Sequence, residues 1–235
     1  MLKLIYLEWK KNGIKKYIRN ALILFAILSV FLFATCYLGI ANDADTGVPD
    51  AAPGTFNVSS QVEFLTNISF LIFTCAMFST FIVSAYKNKT MNLMFSYPIR
   101  RQKILGSKIL SVWIFNFMAL TVTKILLYGM IYGFSTIMAS DFPLDYSMLS
   151  IVFYVQIILK SAVTVSIGLI ALYVGTVFKS SKATIIAGFL LFFLMNGTVG
   201  DFSLADNALF PAILTVISFL CAFLSVLHIE EKDVM

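Results

Sequence analysis

This sequence predicts an all-α integral membrane protein with six transmembrane helices, and three observations carry that expectation. Of its 235 residues, 60% are hydrophobic without counting Gly, and only 12% are charged. Soluble domains lie near ~45–50% apolar and ~25% charged, so the composition argues against a water-soluble globular enzyme and excludes a disordered chain. Six unbroken apolar runs approach or exceed the ~20 residues with which a helix crosses a ~30 Å hydrocarbon core. Positive charge is confined to alternate connections between those runs, as expected where basic loops stay on the cytoplasmic side.

Residues 1–19 precede the first run. Leu2, Ile5, Leu7, Trp9, Ile14, Tyr17 and Ile18 intersperse there with Lys3, Lys10, Lys11, Lys15, Lys16 and Arg19. This pattern predicts an interfacial helix, apolar side down, with cations toward anionic lipid and Trp9 and Tyr17 at the interface. Gly13 is the expected bend. The apolar runs follow at 20–41, 64–86, 108–138, 150–174, 183–199 and 208–227, in one transmembrane domain over 1–235. The first is too long for the apolar core of a signal peptide and lacks a cleavage signal. The third must tilt or project beyond the bilayer. The fifth ends in Asn196, Gly197 and Gly200, which suit a helix poorly. A membrane barrel would show alternating segments, and these runs do not alternate.

All but Lys124 and Lys160 of the 17 basic residues fall in the N-terminal arm, the loops after the second and fourth runs, and the tail. The other three loops hold Asp43, Asp45, Asp50, Glu63, Asp141, Asp145, Asp201 and Asp206. Both termini are therefore expected on the cytoplasmic side. The net charge of +5 is a topology signal and does not indicate a nucleic-acid partner. Membrane lipid is the expected partner instead.

The chemistry available is narrow. The one histidine, His228, falls at the end of the last run, so an H-E-x-x-H metal site is impossible and a Ser-His-Asp apparatus is unsupported. No phosphate-binding G-x-x-x-x-G-K-[ST] loop occurs. Cys36, Cys75 and Cys221 lie in apolar runs and read as packing residues. No catalytic residue, metal site or bound cofactor is expected. By the boundaries above, every Asp and Glu lies in a loop or tail, which weighs against a proton-coupled carrier.

Lys124 and Lys160 lie inside the third and fourth runs, ~21 Å and ~15 Å from their outer ends at ~1.5 Å per residue. A cation at mid-bilayer costs ~2.5–3.5 kcal/mol. No carboxylate is expected beside them. Tyr128 and Gln156, each four residues away, are the local candidates. These four residues define a candidate translocation cavity that would meet an anionic group. Snorkelling, or bonds to backbone carbonyls or a neighbouring subunit, are the structural alternatives.

The loop at 87–107 reads as a transmission element. Thr90 to Phe95 can form a short helix presenting Met91, Leu93, Met94 and Phe95, and Pro98 ends it. An apolar cluster on such a loop needs a cover. Lys89, Arg100, Arg101, Lys103 and Lys108 surround it.

Here the sequence resembles the permease subunits of ABC-2-type ABC transporters. Their loop carries a pattern like T-x-x-x-L-x-x-x-P-[IV]-x-R, then a small residue and Lys, matched by Thr90, Met94, Pro98, Ile99, Arg101, Gly106 and Lys108. Met94 replaces the usual Leu, and Lys87, Asn88 and Lys89 replace an acidic residue and Gly. The arm around Leu7-Glu8-Trp9-Lys10-Lys11, the six-span plan, and an outer re-entrant hairpin that Asn196–Phe210 could form are also similar. The resemblance implies a cytoplasmic coupling helix that docks on a separate ABC ATPase subunit, where ATP and Mg bind. It implies a second permease copy, identical or paralogous, and a bacterial cytoplasmic membrane. Among such permeases, this chain looks closest to those of bacitracin and lantibiotic immunity and of modulin-peptide export. The function so implied is ATP-driven export of amphipathic or antimicrobial peptides. A non-transporting membrane sensor or scaffold, and then a secondary transporter, are the alternatives.

Overall fold

The computed structural model describes residues 2–46, 58–84, 101–138, 147–196, 198–199, 202–203 and 209–231. Helix α1 spans Leu2–Lys11 and α2 spans Ile14–Thr46. Between them Gly13 takes φ +64°, a left-handed conformation that glycine adopts at no steric cost. Helix α3 (Val58–Phe78) runs into a π-helical turn at Ser79–Val83, closed by the Ser84 N–H donating to the Ser79 carbonyl. Helices α4 (Arg101–Met138), α5 (Ile151–Val177), α6 (Ser181–Met195) and α7 (Leu209–Glu231) complete the bundle. Between α6 and α7, where a re-entrant hairpin was expected, the described residues form a two-residue antiparallel ladder. Strand β1 (Thr198–Val199) pairs with β2 (Phe202–Ser203), with Thr198 opposite Ser203.

Among the described residues, four helices are long and apolar enough to cross a membrane: Ile14–Thr35, Val58–Val83, Gln102–Thr136 and Ile151–Val177. Helices α6 and α7 supply the shorter apolar stretches Ser181–Met195 and Phe210–Val226. Contacts fix their relative directions. Tyr17 meets Thr80, Lys108 meets Phe81, and Thr176 meets Ser225 at one end. Tyr128 meets Ser59 and Phe64 meets Phe192 toward the other. The helices from α2 to α7 therefore alternate in direction, and the basic residues of α1, α4 and the α5–α6 turn collect at one end.

Helix α5 is the hub, packing against α3, α4, α6 and α7. One stripe of it (Ser161, Thr164, Gly168, Ala171 and Gly175) is buried and small, which lets helix backbones approach closely. A Cβ on Gly168 would lie 2.9 Å from Thr74 of α3, one on Gly175 would collide with Thr184 of α6, and one on Gly188 of α6 would collide with Cys75 of α3. The small residues that the sequence places in α5 thus serve packing within the chain. The end of α5 is closed by a six-residue cap: Ser180 N–H donates to the Gly175 carbonyl and Lys179 N–H to the Thr176 carbonyl. Lys179 holds the left-handed position at φ +49°, where glycine is usual.

Much of the outside of the described bundle is apolar. Leu22, Ile27 and Val30 of α2, Ile186 and Leu190 of α6, and Val216, Phe219 and Phe223 of α7 are all more than half exposed. Such continuous apolar surface requires a nonaqueous surrounding.

Candidate functional site

Polar side chains inside the bundle concentrate where α3, α4 and α5 meet. Helix α3 begins at Val58, six residues before the apolar run that marks it in the sequence. Its first turns carry Ser59, Ser60, Gln61 and Glu63, so Glu63 stands on a helix and not in a loop. Glu63 Oε1 lies 3.1 Å from Lys160 Nζ of α5. This overturns two expectations at once: that all acidic residues are in loops or tails, and that no carboxylate neutralises the intramembrane lysines. A run of polar residues continues a helix as readily as a loop when one face of it is buried against neighbours.

One turn further along, Thr164 Oγ1 donates to Asn67 Oδ1 at 3.2 Å. On the α4 side, Lys124 is wholly buried. Its Nζ has no hydrogen-bond partner, and Glu63 and Lys160 are the charges that act on it. Glu63 is thus paired with Lys160, while Lys124 lies buried on the neighbouring helix with its Nζ unbonded. Of the local partners that spacing suggested, Tyr128 turns elsewhere. Its hydroxyl donates to the Ser59 carbonyl at 3.4 Å, and its ring meets the edge of Phe153 at 4.9 Å. Gln156 is exposed on α5 one turn before Lys160, and it is Glu63 that holds the lysine. Ser161 Oγ and Gln61 Oε1 are also buried without hydrogen-bond partners.

Sequence reasoning missed Glu63 and Asn67. A usable signal was present. Glu63, Asn67 and Thr74 fall on one face of α3 at helical spacing, and that face is the one turned to α5.

A second polar group sits at the basic end. Lys108 is 3% exposed and donates to the Phe81 carbonyl, inside the π-helical turn, at 3.4 Å. Glu8 of α1 is buried and its charge acts on Lys108. Trp9 Nε1 of α1 donates to the Ser111 carbonyl of α4 at 3.1 Å. Tyr17 reaches the same turn through Thr80 Oγ1 at 3.2 Å and the ring of Phe81 at 5.2 Å. Helix α1 therefore buries Ile5 and Glu8 against protein and leaves Tyr6 and Leu7 exposed. Lys10 and Lys11 are exposed as well. The α1–α2 pair, the π turn of α3 and the start of α4 are pinned together on both sides of the 85–100 segment.

That segment contains Lys89, Thr90, Met91, Leu93, Met94, Phe95, Pro98 and Arg100, and it lies outside the described residues. Arg101 opens α4, but its side chain is outside them too.

Comparison with known proteins adds three findings. The family model described as ABC-2 family transporter protein matches residues 4–194, a range that takes in most of α1, the charged cluster and the loop. The uncharacterized protein YcbO of Bacillus subtilis (strain 168) is 24% identical over 240 residues, covering 99% of this chain and 100% of that protein. No solved structure matches the chain.

Proposed function

The chain belongs to the ABC-2 transporter family, and we propose that it is the membrane permease of an exporter driven by a separate ATPase subunit. The observation that carries this reading is the family match across most of the chain, joined to an architecture that is apolar outside and pinned around one loop. On this reading all six helices from α2 to α7 cross the bacterial cytoplasmic membrane, and both termini lie in the cytoplasm with the basic end. Two copies, identical or paralogous, enclose the path. ATP and Mg reside on the partner.

Coupling follows from connectivity. The segment between α3 and α4, expected as a loop over 87–107 but helical from Arg101 on, would seat Met91, Leu93, Met94 and Phe95 in the ATPase, with Thr90, Lys89, Pro98, Arg100 and Arg101 around them. In sequence it joins the helices α3 and α4. Lys108 and α1 hold those two helices in one unit at the basic end, so a push on the loop moves them together. Val83, at the end of the π-helical turn, and Glu63 on α3 are twenty residues apart, a lever of ~30 Å at ~1.5 Å per residue. The same stroke displaces Lys124 on α4. Helix α5, carrying Lys160, receives no direct push from this loop, so its ion pair to Glu63 is where the stroke changes geometry. Amphipathic or antimicrobial peptides are the proposed cargo, suited to a path with apolar walls and few charges.

The test is co-purification with a candidate ABC ATPase subunit, followed by hydrolysis measurements in proteoliposomes. Met94→Asp with Phe95→Asp should abolish assembly or stimulated hydrolysis while membrane insertion stays intact. Full transport by the chain alone in vesicles, or normal coupling in the double variant, contradicts the reading.

A further inference from the structure

The charged cluster of α3, α4 and α5 holds two cations and one carboxylate. Glu63 is committed to Lys160 at 3.1 Å, while Lys124 is 0% exposed with its Nζ unbonded. One positive charge is therefore left over in a place where an unmatched charge is costly. The Lys160 side chain is 55% exposed and that of Glu63 only 19%, so the cluster opens outward through Lys160. Around that opening α5 shows Gln156, Val155 and Leu159 to the outside. The mouth of the cluster thus offers a cation and an amide beside apolar side chains.

We propose that the Glu63–Lys160–Lys124 cluster is a binding site for the phosphate or carboxylate head of an anionic amphiphile, whose apolar tail lies along α5. The head pairs with Lys160, a compact cation suited to phosphate. Glu63, freed from Lys160, then turns to Lys124, buried on α4, which packs against α3. Arrival of one negative charge satisfies both lysines, and its departure returns Glu63 to Lys160. Glu63 is thus a displaceable counter-ion and not a fixed strut. The ligand is either a resident anionic phospholipid or a transported amphiphile, since both present the same head chemistry.

This inference deepens the permease reading, and it rests on that reading only for calling the site part of a path. Its test needs no ATPase. Full-length chain is placed in phosphatidylcholine nanodiscs, dodecyl phosphate is titrated in, and the thermal unfolding midpoint is followed, with dodecanol as the neutral control. The midpoint should rise with dodecyl phosphate and not with dodecanol. Lys160→Gln should remove the response. Glu63→Gln should keep the response, since Lys160 still meets the head and only the relief of Lys124 is lost. Where Glu63→Gln does not fold, Glu63→Gln with Lys124→Met leaves Lys160 as the sole charge and should keep the response as well. A second arm uses discs of three parts phosphatidylcholine to one part phosphatidylglycerol. A raised midpoint with no further response to dodecyl phosphate identifies lipid as the occupant. A persisting response identifies the free amphiphile. No response in either arm overturns the proposal, as does loss of response in Glu63→Gln, which marks a structural pair. Binding here without ATPase coupling would count against the permease reading alone, and coupling without binding would count against this inference alone.

Discussion

Lys108 occupies a position where a lysine has to be explained, since it is buried at 3% exposure yet lies within a charge-poor bundle. Its bond to Phe81 supplies an extra donor to a π-helical turn, a feature that interrupts regular α-helical bonding and occurs often at functional sites. The carboxylate of Glu8 on α1 lies near enough for its charge to act on it as well. We expect Lys108→Met to destabilise the purified chain by about 1.5–3 kcal/mol, the scale for a hydrogen bond from a charged donor. In the ATPase complex it should lower stimulated hydrolysis while leaving the basal rate alone. Thermal unfolding and hydrolysis assays check the two effects separately, and a loss below about 1 kcal/mol would show that the bond carries little. Glu63 shows what sequence alone conveys about such residues. The lysines were visible as cations inside apolar runs. Their carboxylate was not, because its flank Ser59-Ser60-Gln61 has loop composition and its partner lies 97 positions away on another helix.

At the scale of elements, the bundle depends on three close approaches to α5 and α6. Gly175 faces Thr184, Gly168 faces Thr74 and Gly188 faces Cys75. Gly168→Leu should force α3 and α5 apart and cost about 3 kcal/mol or more, at the upper end for overpacking, read as a lower unfolding midpoint in size-exclusion thermal scans. An unchanged midpoint would mean that α3 and α5 do not meet there. The turn between α5 and α6 should respond in the opposite direction. Lys179 sits at φ +49°, which costs a side chain of ordinary chirality about 1 kcal/mol or more. Lys179→Gly should gain about 0.5–1 kcal/mol after the entropy that glycine adds to the unfolded chain. The helices themselves were legible in the sequence as apolar runs, but their ends were not. Helices α2, α3 and α4 all begin before the runs that mark them, since a helix can project past a bilayer through polar residues without breaking. The pairing of glycines was equally hidden, because spacing shows that a face is small and does not show which neighbour fills it.

The whole molecule makes one demand that can be tested without its partner. Helices α2 to α7 alternate in direction, and the basic ends of the chain gather at one side. If all six cross the membrane, then residues near that end must share one aqueous compartment and the acidic loops the other. Helix α2 bears hardest on this, since of its residues Asn20 to Thr35 only Leu28 and Leu32 are buried. Only lipid or another polypeptide can cover the rest. Helices α6 and α7 supply the shorter apolar stretches, and insertion of both is what distinguishes six spans from four. Single cysteines can be placed at Lys11, Lys182, Asp50, Asp145 and Asp206 in a background where Cys36, Cys75 and Cys221 are changed to Ala. A membrane-impermeant maleimide added to intact cells should label the cysteines at positions 50, 145 and 206 and spare those at 11 and 182. The pattern should invert in inside-out vesicles. Labelling at 182 from outside would put the α5–α6 turn on the wrong face, and protection at 206 would mean that α6 does not traverse. Either result would separate the family's architecture from this chain. The expected pattern would place Lys108, α1 and the loop together on the side where nucleotide is available.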